Sequence, residues 1–278
     1  MLPLLRDRYC AALRPDGVAI VRRRRGLAPA LDLKEAVACA PAAEGPAWAP
    51  AVAALSEFLA RPATGPGDLW VVLSSHFARF MVIPWNDELA SPEELQAYAA
   101  AVYENVFGEA ASAAWDIRTS PERPGTQRIA CAVDRALLEA LDQAVAGTRV
   151  RLASVQPHLM ACYNALAPNL RGRDFVFLVS EGDRASLLAA AASQWRAVRS
   201  APAPDHPAAI AALVEREINL SDLGSETAPE VYIHAPQRAG LVLPAVKGKA
   251  PRVLELKSMS GFSPITDGRF AMAAAAAA

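Results

Sequence analysis

Residues 69–85, LWVVLSSHFARFMVIPW, decide how this chain is read. The stretch divides into an apolar run from Leu69 to Leu73, a polar break at Ser74, Ser75 and His76, and a second run from Phe77 to Ile83 that Pro84 stops. Each run is shorter than a typical helix and rich in β-branched and aromatic residues, so both read as strands. Apolar side chains at nearly every position imply strands covered on both faces, in a central sheet with helices packed over it. The one charge in the second run, Arg79, falls on the face opposite Phe80. An Arg so placed is expected to meet a carboxylate or a carbonyl.

Residues 17–24 (GVAIVRRR) read as a first strand after the turn Arg14-Pro15-Asp16-Gly17, with a return strand from Leu27 to Leu33. A helix starting at Pro50 runs to about Leu59. Beyond Trp85, Ser91 is an N-cap, Pro92 takes the first helical position and Glu94 completes a capping box, so a helix runs to Gly108. Residues 114–119 and 126–133 form a hairpin, and Asp134 caps the next helix, which ends at Gly147. A strand at 149–155, a short helix to Leu166, and an apolar strand at 175–179 follow. Glu181-Gly182-Asp183 is a tight turn into a meander. A helix from Pro207 and short strands at 231–234 and 252–256 complete the pattern. The two halves look alike, which indicates a duplicated α/β unit with lobes at 1–147 and 148–260. The alanine-rich tail, 261–278, is expected to be disordered.

A chain of 278 residues with 53% hydrophobic content can bury one large core or two modest ones. Its net charge of −1 excludes bulk attraction to nucleic acid or anionic membrane. The run Arg22, Arg23, Arg24 and Arg25 alternates between faces on a strand, so it reads as a solvated edge or strand end. Cys10, Cys39, Cys131 and Cys162 lack CxxC spacing and sit in apolar surroundings, which suits buried free thiols in a reducing compartment. With no signal-peptide core and no long apolar span, a cytoplasmic protein is expected.

Chemistry is sparse. Ser74-Ser75-His76 sets a hydroxyl beside an imidazole but has no GxSxG elbow, so it reads as a polar turn. His76, His158, His206 and His234 have no ligand spacing, and no metal site or catalytic residue is assigned. Walker and dinucleotide glycine loops are absent. The turns near Asp16 and at Ser180, Gly182 and Asp183 are the places where a nucleotide phosphate and magnesium would be sought.

The succession LSSHFARFMVIPW, AAWDIRT, RIACAVDRALLEAL, LASVQPHLMACYNAL and FVFLVSEGDRASLLAAAASQWRAVR, spanning roughly residues 69–199, resembles the actin-like platform proteins of type IV pilus and type II secretion systems, of the PilM and GspL kind. The resemblance implies a two-lobed RNase H-like, actin-like ATPase fold with mixed sheets flanked by helices, and a partner in an inner-membrane assembly. Pilus members bind ATP through an Asp- and Gly-bearing first hairpin and a Gly-rich second one. Here the first hairpin, GVAIVRRRRG, carries four arginines, and VSEGDRAS keeps part of the second pattern.

The expectation is therefore a non-catalytic adaptor without cofactor, with Arg79, Trp85 and Gln156 as candidate interaction residues and a core role preferred for Trp85. The alternatives are a weakly hydrolysing ATP–magnesium protein using Asp16, Ser180, Gly182 and Asp183, and a metabolic enzyme with its ligand between the lobes.

Overall fold

The computed structural model describes residues 6–24, 26, 30–89, 91–172, 174–203, 206–221, 223, 228–238 and 240–277. Arg25 and the expected strand start at Leu27 lie outside these. The first half is built on strands β1 (Asp7–Arg14), β2 (Gly17–Arg24), β3 (Ala30–Ala38), β4 (Gly67–Leu73) and β8 (Val150–Pro157), arranged β3-β2-β1-β4-β8. β1 is central, antiparallel to β2 and parallel to β4. It is the strand the sequence pattern hides: Cys10, Ala11 and Ala12 are small, and β1 is buried on both faces, so no alternation marks it. The leading hairpin is consequently β1–β2, with β2–β3 the second. β2 is an interior strand, and its arginines gather at its end: Arg22 pairs with Asp32 at 2.8 Å, and Arg23 donates to the Ala277 carbonyl at 2.6 Å.

Residues 69–85 divide between two sheets. β4 is covered on both faces, as its composition requires. The second run, β5 (Ala78–Ile83), joins β7 (Arg128–Asp134) and β6 (Trp115–Thr119) in a separate sheet ordered β5-β7-β6, and most of it is only half-covered. Helix α2 (Pro92–Phe107) packs on that sheet through Ala99 and Tyr103. Its capping box forms as the sequence requires, with Ser91 Oγ accepting from Glu94 N–H and Glu94 Oε2 from Ser91 N–H, both at 3.1 Å. The short α3 (Glu109–Ala113) follows.

The second half repeats the connectivity of the first. Strands β9 (Phe175–Ser180), β10 (Arg184–Ala191), β11 (Gln194–Pro202), β12 (Glu230–His234) and β13 (Arg252–Val253) are ordered β11-β10-β9-β12-β13, again an antiparallel meander continued by parallel strands. β8 belongs to the first sheet, so the change of sheet falls after Pro157 rather than at Gly147.

Helices α1 (Ala49–Ala60) and α4 (Arg135–Val145) cover the outer face of the first sheet, and α6 (Pro207–Leu220) that of the second. Between the sheets lie α5 (His158–Leu166) and α7 (Ala271–Ala275), packed in one core with Cys10, Val72, Phe177 and Tyr232. The tail is therefore not disordered. Phe270 to Ala277 are all buried, because alanines are small enough to fill a narrow seam that excludes water. Among the described residues no helix is long and apolar enough to cross a membrane.

Candidate functional site

The turns closing the two leading hairpins face one cleft between the sheets. β1 meets β2 through Pro15 and Asp16, and β9 meets β10 through Glu181, Gly182 and Asp183. Gly17 is required at the first, since any Cβ would run into the Val37 carbonyl oxygen. Gly182 holds φ at 95°, a backbone region that costs other residues about 1 kcal/mol or more. The cavity between them has a volume of about 720 Å³, and Asp16, Gly17, His158, Ser180, Glu181 and Arg269 contribute to its wall.

Glu181 is the hub of this cleft. It is only 2% exposed, yet its carboxylate accepts from Ser74 Oγ, from Ser75 N–H at 3.0 Å and from His158 Nδ1 at 3.0 Å. Its carbonyl accepts from Arg14 Nη1 at 3.1 Å. The loop after β4 and the end of β1 are thereby tied to the second half. Burial pushes the Glu181 carboxyl up, but His158, Ser74 and Ser75 together hold it below the usual carboxylate range.

Ser74 Oγ also touches His76 Nδ1 at 2.9 Å, and His76 Nε2 lies 3.2 Å from Asp183 Oδ2. This row imitates a nucleophile, a base and an acid. Ser74 is fully buried, however, and its hydroxyl proton is committed to Glu181, so the row works as a polar lock between the halves.

Of the residues singled out for nucleotide, Asp16 and Ser180 reach the cavity wall. Asp16 is bound by Arg14 at 2.9 and 3.2 Å. Asp183 is 61% exposed and turns out to His76. Gly182 packs near Gln237. Arg79, Trp85 and Gln156 are not brought together. Arg79 is exposed and donates to the carbonyls of His76 and Ala78, at 2.9 and 3.2 Å. Trp85 is half-buried rather than core and donates to Asp87 at 2.6 Å. Gln156 lines a different groove, beside Arg8 and Trp70.

Sequence reading passed over a second cluster behind Glu181. His158 and Cys162 stand one turn apart on α5, and His234 ends β12. Cys162 is fully buried, and both imidazoles act on its thiol. Burial pushes its thiol up, but His158 and His234 outweigh that and hold it below the ordinary value. Burial also pushes His158 down, while Cys162 and Glu181 raise it above the usual imidazole range. Cys10 and Cys131, in contrast, are pushed up to about 12 by burial. The i,i+4 spacing of His158 and Cys162 was the one signal in the sequence; His234 is brought in only by the fold.

No family model matches the chain, and no curated protein matches it in sequence. Solved structures do match in fold. A chain of the PilM–PilN type IV pilus biogenesis complex superposes with a TM-score of 0.68 at 14% identity, covering 99% of this chain and 97% of that one. The cytoplasmic domain of EpsL, an inner-membrane component of the Vibrio cholerae type II secretion system, gives 0.55 at 12%, covering 98% and 94%. A Bacteroides thetaiotaomicron protein with an actin-like ATPase fold gives 0.51 at 10%, covering 84% and 82%. The fold is the actin-like ATPase fold, as the resemblance implied.

Proposed function

We propose that this chain is a non-catalytic actin-like adaptor that docks a component of an inner-membrane pilus or secretion assembly from the cytoplasmic side. The observation that carries the reading is Glu181. Where two hairpins would have to cradle phosphates, the second turn carries a buried carboxylate that takes up the donors of Ser74, Ser75 and His158. Hydrolysis needs magnesium and a group that positions water. The two acids at the turns are already engaged, Asp16 with Arg14 and Asp183 with His76. The named neighbours from pilus and secretion machinery support the choice of system, and one of them is by its name a complex with a partner.

Calorimetric titration of the whole chain with ATP and magnesium is expected to give no heat up to millimolar nucleotide. Pull-down against the inner-membrane proteins of such an assembly is expected to capture one of them. Micromolar ATP binding overturns the reading. The second reading, an ATP-binding relative, is favoured by the cavity itself, since about 720 Å³ falls in the usual range for small-molecule sites. Under it, Asp16→Ala and Asp183→Ala abolish a binding signal that the wild type shows.

A further inference from the structure

We infer that residues 258–277 form a releasable strap, an internal segment that plugs the groove between the two halves and closes one side of the cleft. It plays this part whether the cleft serves an adaptor or a nucleotide. The chain passes from the first sheet to the second where β8 runs into α5. The strap is the return crossing: beyond β13 in the second sheet, the chain comes back to lie against β1 and β2. On the first half its ties are polar. The Leu31 N–H donates to the Ser260 carbonyl at 2.7 Å, Lys34 pairs with Asp267 at 2.8 Å, and Arg8 and Arg23 donate to the Ala276 and Ala277 carbonyls at 3.1 and 2.6 Å. On the second half, Gly268 lies so close to Pro236 that any Cβ would run into its carbonyl, and Phe270 and Met272 share a core with Phe177 and Tyr232.

Two features make this crossing the one that opens. Its apolar grip is thin, because six of the eight residues from Phe270 to Ala277 are alanine, and each buries far less apolar area than a leucine would. Hollow space also flanks it on both sides. Ile265, Arg269 and Met272 wall the cleft of about 720 Å³, while Ala275 and Ala276 wall a second cavity of about 430 Å³ beside Arg8 and Trp70. Helix α5 lines both cavities, through His158 in one and Ala161 in the other. The strap is thus a partition between two hollows along one seam, and lifting it merges them. A segment held in this way opens at a lower free-energy cost than the sheets on either side, which carry their own ladders and larger apolar side chains. The thiol of Cys162, on α5, lies in the core beneath the strap and reports its release.

The test follows labelling of Cys162 by the aromatic disulfide DTNB in the native full chain, with each cysteine read separately by peptide mass spectrometry. While the strap is seated, Cys162 should label slowly. High salt, which screens the Lys34–Asp267 pair, should speed the labelling, and Lys34→Glu, which sets a carboxylate against Asp267, should speed it roughly 3–10-fold. The reversed pair, Lys34→Glu with Asp267→Lys, should restore the slow rate. Cys131, on β7 in the small sheet, should keep its wild-type rate throughout, which separates release of the strap from global unfolding. If Lys34→Glu does not fold, Arg23→Ala serves in its place. Labelling of Cys131 that rises in step with Cys162 shows the whole molecule opening, and overturns the strap. A Cys162 rate that neither salt nor the variants change overturns it equally.

Discussion

A carboxylate that water cannot reach is stable only while its oxygens are matched by donors, and Glu181 has three such donors from two elements. Replacing it with Gln keeps the shape but sets an amide NH₂ against groups that themselves donate. Glu181→Gln should cost about 3–5 kcal/mol, measured by urea unfolding. The paired Glu181 and His158 each make a contribution that depends on pH. The Glu181 carboxyl is depressed in the fold, so its contribution is complete above the ordinary carboxylate range and is lost as pH falls toward the depressed value. His158 is raised, so its contribution is present below the ordinary imidazole range and is lost as pH climbs through the raised value. Stability should be greatest between these limits, and the acid limb should flatten in Glu181→Gln. None of this was legible in the sequence. Glu181 reads there as one residue of a turn, and its partner Ser74 is 107 positions away. Asp16, with charge and turn chemistry in plain sight, was legible as a position at the cleft but not as an acid already bound by Arg14.

At the scale of elements, local signals did most of the work. Helix α2 was readable because Ser91, Pro92 and Glu94 act on their own neighbours, and those contacts formed. Ser91→Ala should lower stability by about 1 kcal/mol, with faster amide exchange confined to the first turn of α2. β9 and β4 were readable because burial on both faces demands unbroken apolar runs. β1 was not, since its middle is small side chains fitted under neighbouring elements, and small residues carry little strand preference. The division of residues 69–85 between two sheets was equally hidden. A polar break such as Ser74-Ser75-His76 marks where a strand ends, but not which sheet the chain enters next. Gly67 shows the same dependence on context: a Cβ there would lie 2.6 Å from the Tyr9 ring. Gly67→Ala should therefore displace Tyr9 and lower the melting temperature by several degrees, read by calorimetry.

Taken whole, the molecule is two copies of one strand plan facing each other, with contacts between them well beyond the covalent connection. The small sheet that interrupts the first half reaches the outer strand of the second, where Trp195 Nε1 donates to Glu122 at 2.8 Å and Gln127 N–H to Gln194 at 3.1 Å. The tail lies in the seam, with Arg8 donating to the Ala276 carbonyl at 3.1 Å. Ala274→Leu should cost about 1–3 kcal/mol by denaturant unfolding, since Ala274 is fully buried and a larger side chain must displace its neighbours. The alanine run then has a meaning that composition alone conceals. Its side chains, one methyl group long, let the helix sit close beside α5 in the seam. A larger side chain in that segment should be felt in the cleft as well, because Met272 shares its wall with Arg14 and Glu181.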